Sequence, residues 1–291
     1  MTYFNFNTLY IIESLRQNEK KTGQSLYEDM KNYEFVHDKL TVQLCIVNNV
    51  EDWNDLMQKI RLECETKGTL PIIHLEVHGS EDVIQFTNGS TLGRDYVIEQ
   101  LRQINIATKC NLFVTLAVCK GLYMLLETHI DKEMPFCGVV GPFEKIMSGD
   151  ILLRYYEFYK TFFETFDVTQ AFIALTKAND NLPQQYRYIH ISELFYKVYS
   201  NYIQKGCNNE GMKNRALEAA EQNNFILRNR KEKRKFQRDF VNEEKRNREK
   251  FYREHSNTFF MLEQCPDNKE RFEVPNSWRD LEKRCKHLYT V

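Results

Sequence analysis

Residues 71–79, PIIHLEVHG, form an apolar run that ends in the pair His78-Gly79, and residues 111–121, NLFVTLAVCKG, form a second run that ends at Cys119. Short apolar runs bounded by turn residues are typical of buried strands. Functional groups of an open α/β sheet collect beyond the carboxyl ends of its strands, and neighbouring strands lie about 4.8 Å apart. If these two strands are neighbours, an imidazole and a thiol meet in one crevice.

Further strands and helices alternate around these two runs. Strands are predicted at 8–14, 41–48 and 135–140, and helices at 24–36, 52–67, 94–104, 121–130, 149–165, 168–178 and 190–204. Asp52 is the expected cap of the second helix, and Asn88-Gly89 predicts a hairpin after the His78 strand. The alternation predicts an α/β fold with a doubly wound, mostly parallel sheet.

The end of the chain differs in composition. Residues 206–209, GCNN, look like a linker, so we predict an α/β domain over 1–205 and a charged helical extension with a tail over 206–291. No Pro or Gly interrupts 212–255, which predicts one long helix with Phe225, Phe236, Phe240 and Phe251 on a single stripe. Residues 228–253 contain twelve Lys/Arg and only five Asp/Glu, which makes this helix basic.

Composition narrows the function classes. A hydrophobic content of 42% and a charged content of 28% fit a soluble globular protein. The eight cysteines lack CxxC pairs or zinc spacing, and neither GxGxxG nor GxxxxGK[ST] is present, so no metal and no cofactor are predicted. Without a run of membrane-spanning length or a signal-peptide pattern, we expect a cytoplasmic protein, where a reducing environment keeps a thiol usable.

The two strand ends together resemble the signature of caspase-like (clan CD) cysteine peptidases. His78 and Cys119 are 41 residues apart, close to the roughly 50 of caspases, and Cys119-Lys120-Gly121 matches their Cys-x-Gly. The closer likeness is to the bacterial CHAT-domain type and covers roughly residues 40–180. The chain departs from caspases at Ala117, where they carry Gln, which puts the substrate preference in doubt.

That resemblance implies an intracellular endopeptidase in bacterial antiviral defence or programmed cell death. Cys119 would be the nucleophile and His78 the general base, with the oxyanion bound by the backbone N–H groups of Gly79 and Cys119. It also implies protein substrates and an activating or regulatory protein partner. The alternative is a catalytically silent adaptor that keeps the fold and assembles with a partner through its basic C-terminal helix.

Three acidic residues stand near the expected crevice. Glu76 shares a strand face with His78, where it orients that ring, forms an acidic pocket wall or makes a buried ion pair or hydrogen bond with a helix. Asp82 follows Gly79 and is either a solvated loop acid or a substrate contact. Asp150 follows the last predicted strand and is either a pocket residue or a helix cap.

The basic helix leaves two interpretations open. Its Lys and Arg side chains are able to bind nucleic acid through phosphates. Its interspersed acids and single phenylalanine stripe favour docking on the body of the protein or on a partner. No membrane contact is predicted.

Overall fold

The computed structural model describes residues 4–179 and 185–287, and the chain divides into two compact units, Met1–Ile191 and Ser192–Val291. The strands are β1 (Thr8–Ser14), β2 (Thr41–Ile46), β3 (Pro71–Gly79), β4 (Val83–Gln85), β5 (Thr91–Gly93), β6 (Phe113–Leu116), β7 (Gly138–Pro142) and β8 (Tyr186–His190). The helices are α1 (Thr22–Lys31), α2 (Val50–Lys67), α3 (Arg94–Ala107), α4 (Ser148–Thr165), α5 (Val168–Lys177), α6 (Ile191–Asn201), α7 (Asn209–Gln222), α8 (Arg230–Phe259), α9 (Asn268–Arg271) and α10 (Trp278–His287).

One mixed sheet organises the first unit, with strand order β2-β1-β3-β6-β7-β8. Its strands pair in parallel except β8, which runs antiparallel to β7, and the hairpin β4–β5 extends from the end of β3. The predicted α/β fold with a mostly parallel sheet is confirmed, as is the presence of C-terminal helices. The neighbouring pairing of β3 with β6 meets the condition on which a shared crevice depends.

Helices cover both faces of this sheet. Side chains of β1 that point to opposite faces contact different helices. Tyr10 donates its hydroxyl to Glu63 of α2, whereas Glu13, three residues on, accepts from the backbone of Gln24 in α1. Side chains three apart on a strand point to opposite faces. Helix α1 packs against α4 and helix α2 against α3, so the two pairs form separate layers.

Local sequence signals explain both ends of helix α2. Helix α2 begins after Asn49, whose side chain accepts from Asp52 N at 2.7 Å, and ends at Gly68 with a left-handed φ of 67°. The expectation that Asp52 caps this helix is therefore wrong, because Asn49 holds the cap and Asp52 lies in the first turn. The Asn88-Gly89 turn forms as predicted, with Gly89 at φ 89°.

Two elements differ from their prediction. The α-helix expected at 121–130 is a 3₁₀-helix over Gly121–Glu127, in which a period of three places the buried Leu122 and Leu125 on one side. The strand Tyr186–His190 is not predicted from the sequence, because as an edge strand it buries little more than Tyr186 and lacks an apolar run.

The second unit is helical. The single helix expected over 212–255 is instead α7 and α8, separated where Asn224 adopts a left-handed φ of 55° and Asn229 caps the next helix. Phe225 lies in this break and contacts Phe236 at 5.8 Å between ring centroids, so the predicted stripe does not continue along one helix. From the sequence, Pro266 and Pro275 predict an irregular segment over 256–291, but this segment contains α9 and α10.

The units separate between Ile191 and Ser192, whereas the sequence places the domain boundary after 205. The reason is the packing of α6 within the second unit. Phe195 lies 5.1 Å from the ring of Phe259 and 4.8 Å from that of Phe260, and the Tyr199 hydroxyl bonds His255 Nδ1 at 2.7 Å.

Candidate active site

The end of β3 that carries His78 and Gly79 lies beside the segment after β6 that carries Cys119. The strand register aligns His74 with Thr115 and Leu75 with Leu116, and Ala117 N donates to Leu75 O at 2.8 Å. A methyl group on Gly79 would lie 2.4 Å from Val118 Cγ1 and 3.0 Å from the carbonyl oxygen of Cys119. The two chain segments therefore touch at this position, and glycine permits the approach.

Both side chains project toward the α1/α4 layer. His78 Nε2 bonds the carboxylate of Glu19, which precedes α1, at 2.9 and 3.0 Å. Cys119 Sγ lies 3.9 Å from the carbonyl oxygen of Ile146, which precedes α4. Since α1 packs on α4, the two side chains belong to one edge and one face of the sheet. Among the described residues, no hydrogen bond joins them directly.

Glu19 is the residue that sequence reasoning did not find. It lies in the polar segment after β1, and the β1/β3 boundary of this strand order is where the sheet's chain connections switch direction and ligands collect. Although burial opposes it, the hydrogen bonds from His78 and from Arg16 N lower the pKa of Glu19. In a neutral imidazole, a carboxylate held against Nε2 favours the tautomer with the proton on that nitrogen, which leaves Nδ1 as the acceptor.

Glu76 does not reach His78 and takes part in a separate buried cluster. Thr22 Oγ1 donates to Glu76 Oε1, and His74 Nε2 lies 3.7 Å from Glu76 Oε2. Within the described chain these last two atoms have no hydrogen-bond partner. Burial, and then the nearby Glu13, raise the pKa of Glu76 well above its usual range, and burial lowers the pKa of His74 to about 3. The pair is therefore neutral rather than ionic.

We expect Glu76→Gln to stabilise the protein at neutral pH. With its pKa raised on folding, Glu76 must take up a proton to fold, so stability falls as pH rises above the unfolded value of about 4.3. Glutamine is neutral and keeps an acceptor for Thr22, so the free energy of unfolding should rise by about 1–3 kcal/mol at pH 7.

Urea unfolding at pH 7 and pH 4 tests this, because the gain should vanish at the lower pH. The matched control is Glu63→Gln, which removes a carboxylate that accepts from Tyr10 and Lys67 and should destabilise at pH 7. An equal gain for Glu76→Gln at both pH values would contradict the protonation argument.

The backbone around the two strand ends offers hydrogen-bond donors. Ser80 N donates to Val83 O at 2.9 Å, and in the antiparallel register Gly79 faces Ile84. Because ladder bonds alternate between paired positions, the N–H of Gly79 points away from β4 and toward the Cys119 segment. By contrast, Lys120 N is occupied by Glu144 O at 3.0 Å.

Asp82 and Asp150 have different surroundings. Asp82 is exposed in the turn before β4, and its carbonyl accepts from Arg94 N at 3.0 Å. Asp150 is buried in the first turn of α4, where it pairs with Arg154 Nε at 2.7 Å and also accepts from Asn179. Asp150 is not the cap of α4, because Met147 occupies that position. Its carboxylate is engaged by a buried guanidinium.

Two features lie away from this edge. A cavity of about 570 Å³ opens at the amino ends of β1 and β2 and is lined by residues that include Phe4, Phe6, His37 and Phe166. Across residues 4–179 and 185–287, no group of three His, Cys, Asp or Glu side chains is arranged to hold a metal ion. The same residues include no helix that is both long and apolar enough to cross a membrane.

Comparison with known proteins adds nothing to these observations. No model of a known protein family matches the chain, and no curated protein matches it.

Proposed function

We propose that this chain is a caspase-like cysteine endopeptidase of the CHAT-domain type, with Cys119 as nucleophile and His78 as general base. The observation that carries the proposal is the adjacency of β3 and β6, whose ends bring Gly79 against the Cys119 backbone. His78 is 40% exposed and Cys119 is partly exposed, so a peptide can reach both.

The proposed reaction uses these groups in turn. His78 Nδ1 takes the thiol proton, and Cys119 Sγ attacks the scissile carbonyl carbon to form a tetrahedral oxyanion bound by the Gly79 and Cys119 N–H groups. His78 returns the proton to the leaving amine, which departs as the thioester forms. Water, deprotonated by the same imidazole, then releases the acid and restores the thiol.

The experiment that tests this function is a cleavage assay. Wild type and Cys119→Ala are each incubated with proteins encoded near the gene, and fragments are identified by mass spectrometry. Cleavage by wild type alone supports the proposal. Because the resemblance implies a regulated cytoplasmic enzyme of bacterial defence or cell death, the assay includes lysate from phage-infected cells as a source of the activating partner.

Glu19→Gln should lower the rate at which an acyloxymethyl ketone alkylates Cys119 by about 10–100-fold. Glutamine still accepts the Nε2 proton but carries no charge to stabilise the imidazolium that forms during proton transfer. The measurement is the second-order rate of labelling by an acyloxymethyl ketone at pH 7. Glu81→Gln is the matched control, since Glu81 pairs with Lys120 at the same edge without touching His78. Equal effects of the two substitutions would argue against an orienting role for Glu19.

The second candidate is an adaptor that binds a partner through α8. Residues 228–238 hold seven Lys/Arg and one Glu, and all seven cationic residues are exposed. Such a surface fits an acidic protein segment or, through phosphates, a nucleic acid. Partner capture that persists in Cys119→Ala, together with no cleavage by wild type, would favour this candidate.

A further inference from the structure

Arg94 is a buried cation at the centre of the candidate site. It opens α3, immediately after the hairpin that follows His78, and it is only 2% exposed. Arginine is rarely buried to this extent unless its donors are all engaged. Its partners therefore indicate what it holds in place.

Those partners come from both strand ends. Arg94 Nε donates to Ser80 O at 3.0 Å and Nη2 to the same oxygen, while Nη1 donates to Gly121 O at 2.9 Å and Nη2 to Cys119 O at 3.4 Å. Ser80 is two residues after His78, and Gly121 is two residues after Cys119. One planar guanidinium thus ties the two segments together.

The charge of Arg94 is not neutralised by a close carboxylate among the described residues, since its bonds all go to carbonyl oxygens. Burial lowers the pKa of Arg94 to about 10, although the charge of Asp82 opposes this shift, so Arg94 remains protonated at neutral pH. A guanidinium presents five donors in a rigid fork, whereas a lysine ammonium is a single point on a flexible stem.

We propose that Arg94 is a positioning residue that sets the separation of His78 and Cys119 for proton transfer. This rests on the proposed peptidase function. The segment that contains Gly79 lies against the Cys119 carbonyl, so the two segments have no room to come closer. The hydrogen bonds of the Arg94 guanidinium oppose movement in the other direction, which would separate them. A displacement of about 1 Å between reacting groups costs roughly 100-fold in rate.

A double-mutant cycle on the full chain tests this proposal. The labelling rate of Cys119 by an acyloxymethyl ketone is measured for wild type, Arg94→Lys, His78→Ala and the combination, with the modified residue identified by mass spectrometry. Arg94→Gln is a second variant that removes the charge. Arg102→Lys is the matched control, because Arg102 is equally buried on α3 but donates to Glu133 O and Glu99.

We expect Arg94→Lys to slow labelling by roughly 10–100-fold when His78 is present and by less than about twofold when it is absent. Arg102→Lys should leave the rate unchanged even if it lowers the melting temperature. An equal slowing in both His78 backgrounds, or no slowing, would overturn the role of Arg94 while the peptidase proposal stands. A His78→Ala variant that labels as fast as wild type would instead overturn the proposed function.

Discussion

An acyloxymethyl ketone should label Cys119 selectively at pH 7, and His78→Ala should slow that reaction by about 10²–10⁴-fold. The reason is that the attacking species is the thiolate, which the imidazole generates by taking the thiol proton. Cys119→Ala should remove the label completely. The measurement is the second-order rate constant for each cysteine, obtained from peptide mass spectrometry over time.

The other cysteines supply internal controls. Burial, as the largest cause, raises the pKa of Cys45 and Cys285 to about 11 and that of Cys64 to about 12, which leaves little thiolate on them at neutral pH. Their slow reaction should not change on His78→Ala. Labelling spread evenly over the cysteines, with no dependence on His78, would count against the dyad and in favour of the adaptor.

The sheet and the position of the candidate dyad could be predicted from the sequence because both depend on local pattern. Apolar runs specify buried strands, and a polar or reactive residue at the end of such a run stands out against it. The sequence leaves open whether β3 and β6 are neighbours, because successive strands often pair but need not, as the separation of β2 from β3 by β1 demonstrates.

The residues around the candidate dyad could not be predicted in this way. Glu19 lies in a stretch of polar residues, RQNEKKTGQ, in which no periodicity distinguishes one acid from another. Arg94 looks like an ordinary first-turn residue of a helix, and only the tertiary fold brings its side chain to the carbonyls of two distant segments. Glu76 stands out in the sequence because a polar residue in a buried strand is unexpected, but its partner Thr22 is set by the packing of α1.

Arg154 is a buried cation that holds several groups of the first unit together. Its side chain is 1% exposed, pairs with Asp150, and donates to Leu175 O at 2.8 Å and to Asn179 O at 2.9 Å. Arg154→Met should lower the free energy of unfolding by about 3–5 kcal/mol, because it leaves the buried Asp150 carboxylate without its cation. Lys177→Met, at an exposed position of α5, is the control for loss of a positive charge at the surface.

The measurement is urea unfolding followed by fluorescence in a Trp278→Phe background, where the buried Trp53 reports on the first unit alone. The double variant Asp150→Asn/Arg154→Met should recover part of the loss, since a neutral amide costs less to bury than an unpaired carboxylate. If the double variant instead lost as much free energy of unfolding as the two single variants together, the two residues would be acting independently. Recovery of stability in the double variant would also bear on function. It would mean that the Asp150 carboxylate is needed to pair with Arg154, which bonds the end of α5. Such a carboxylate is not free to bind a basic side chain of a substrate.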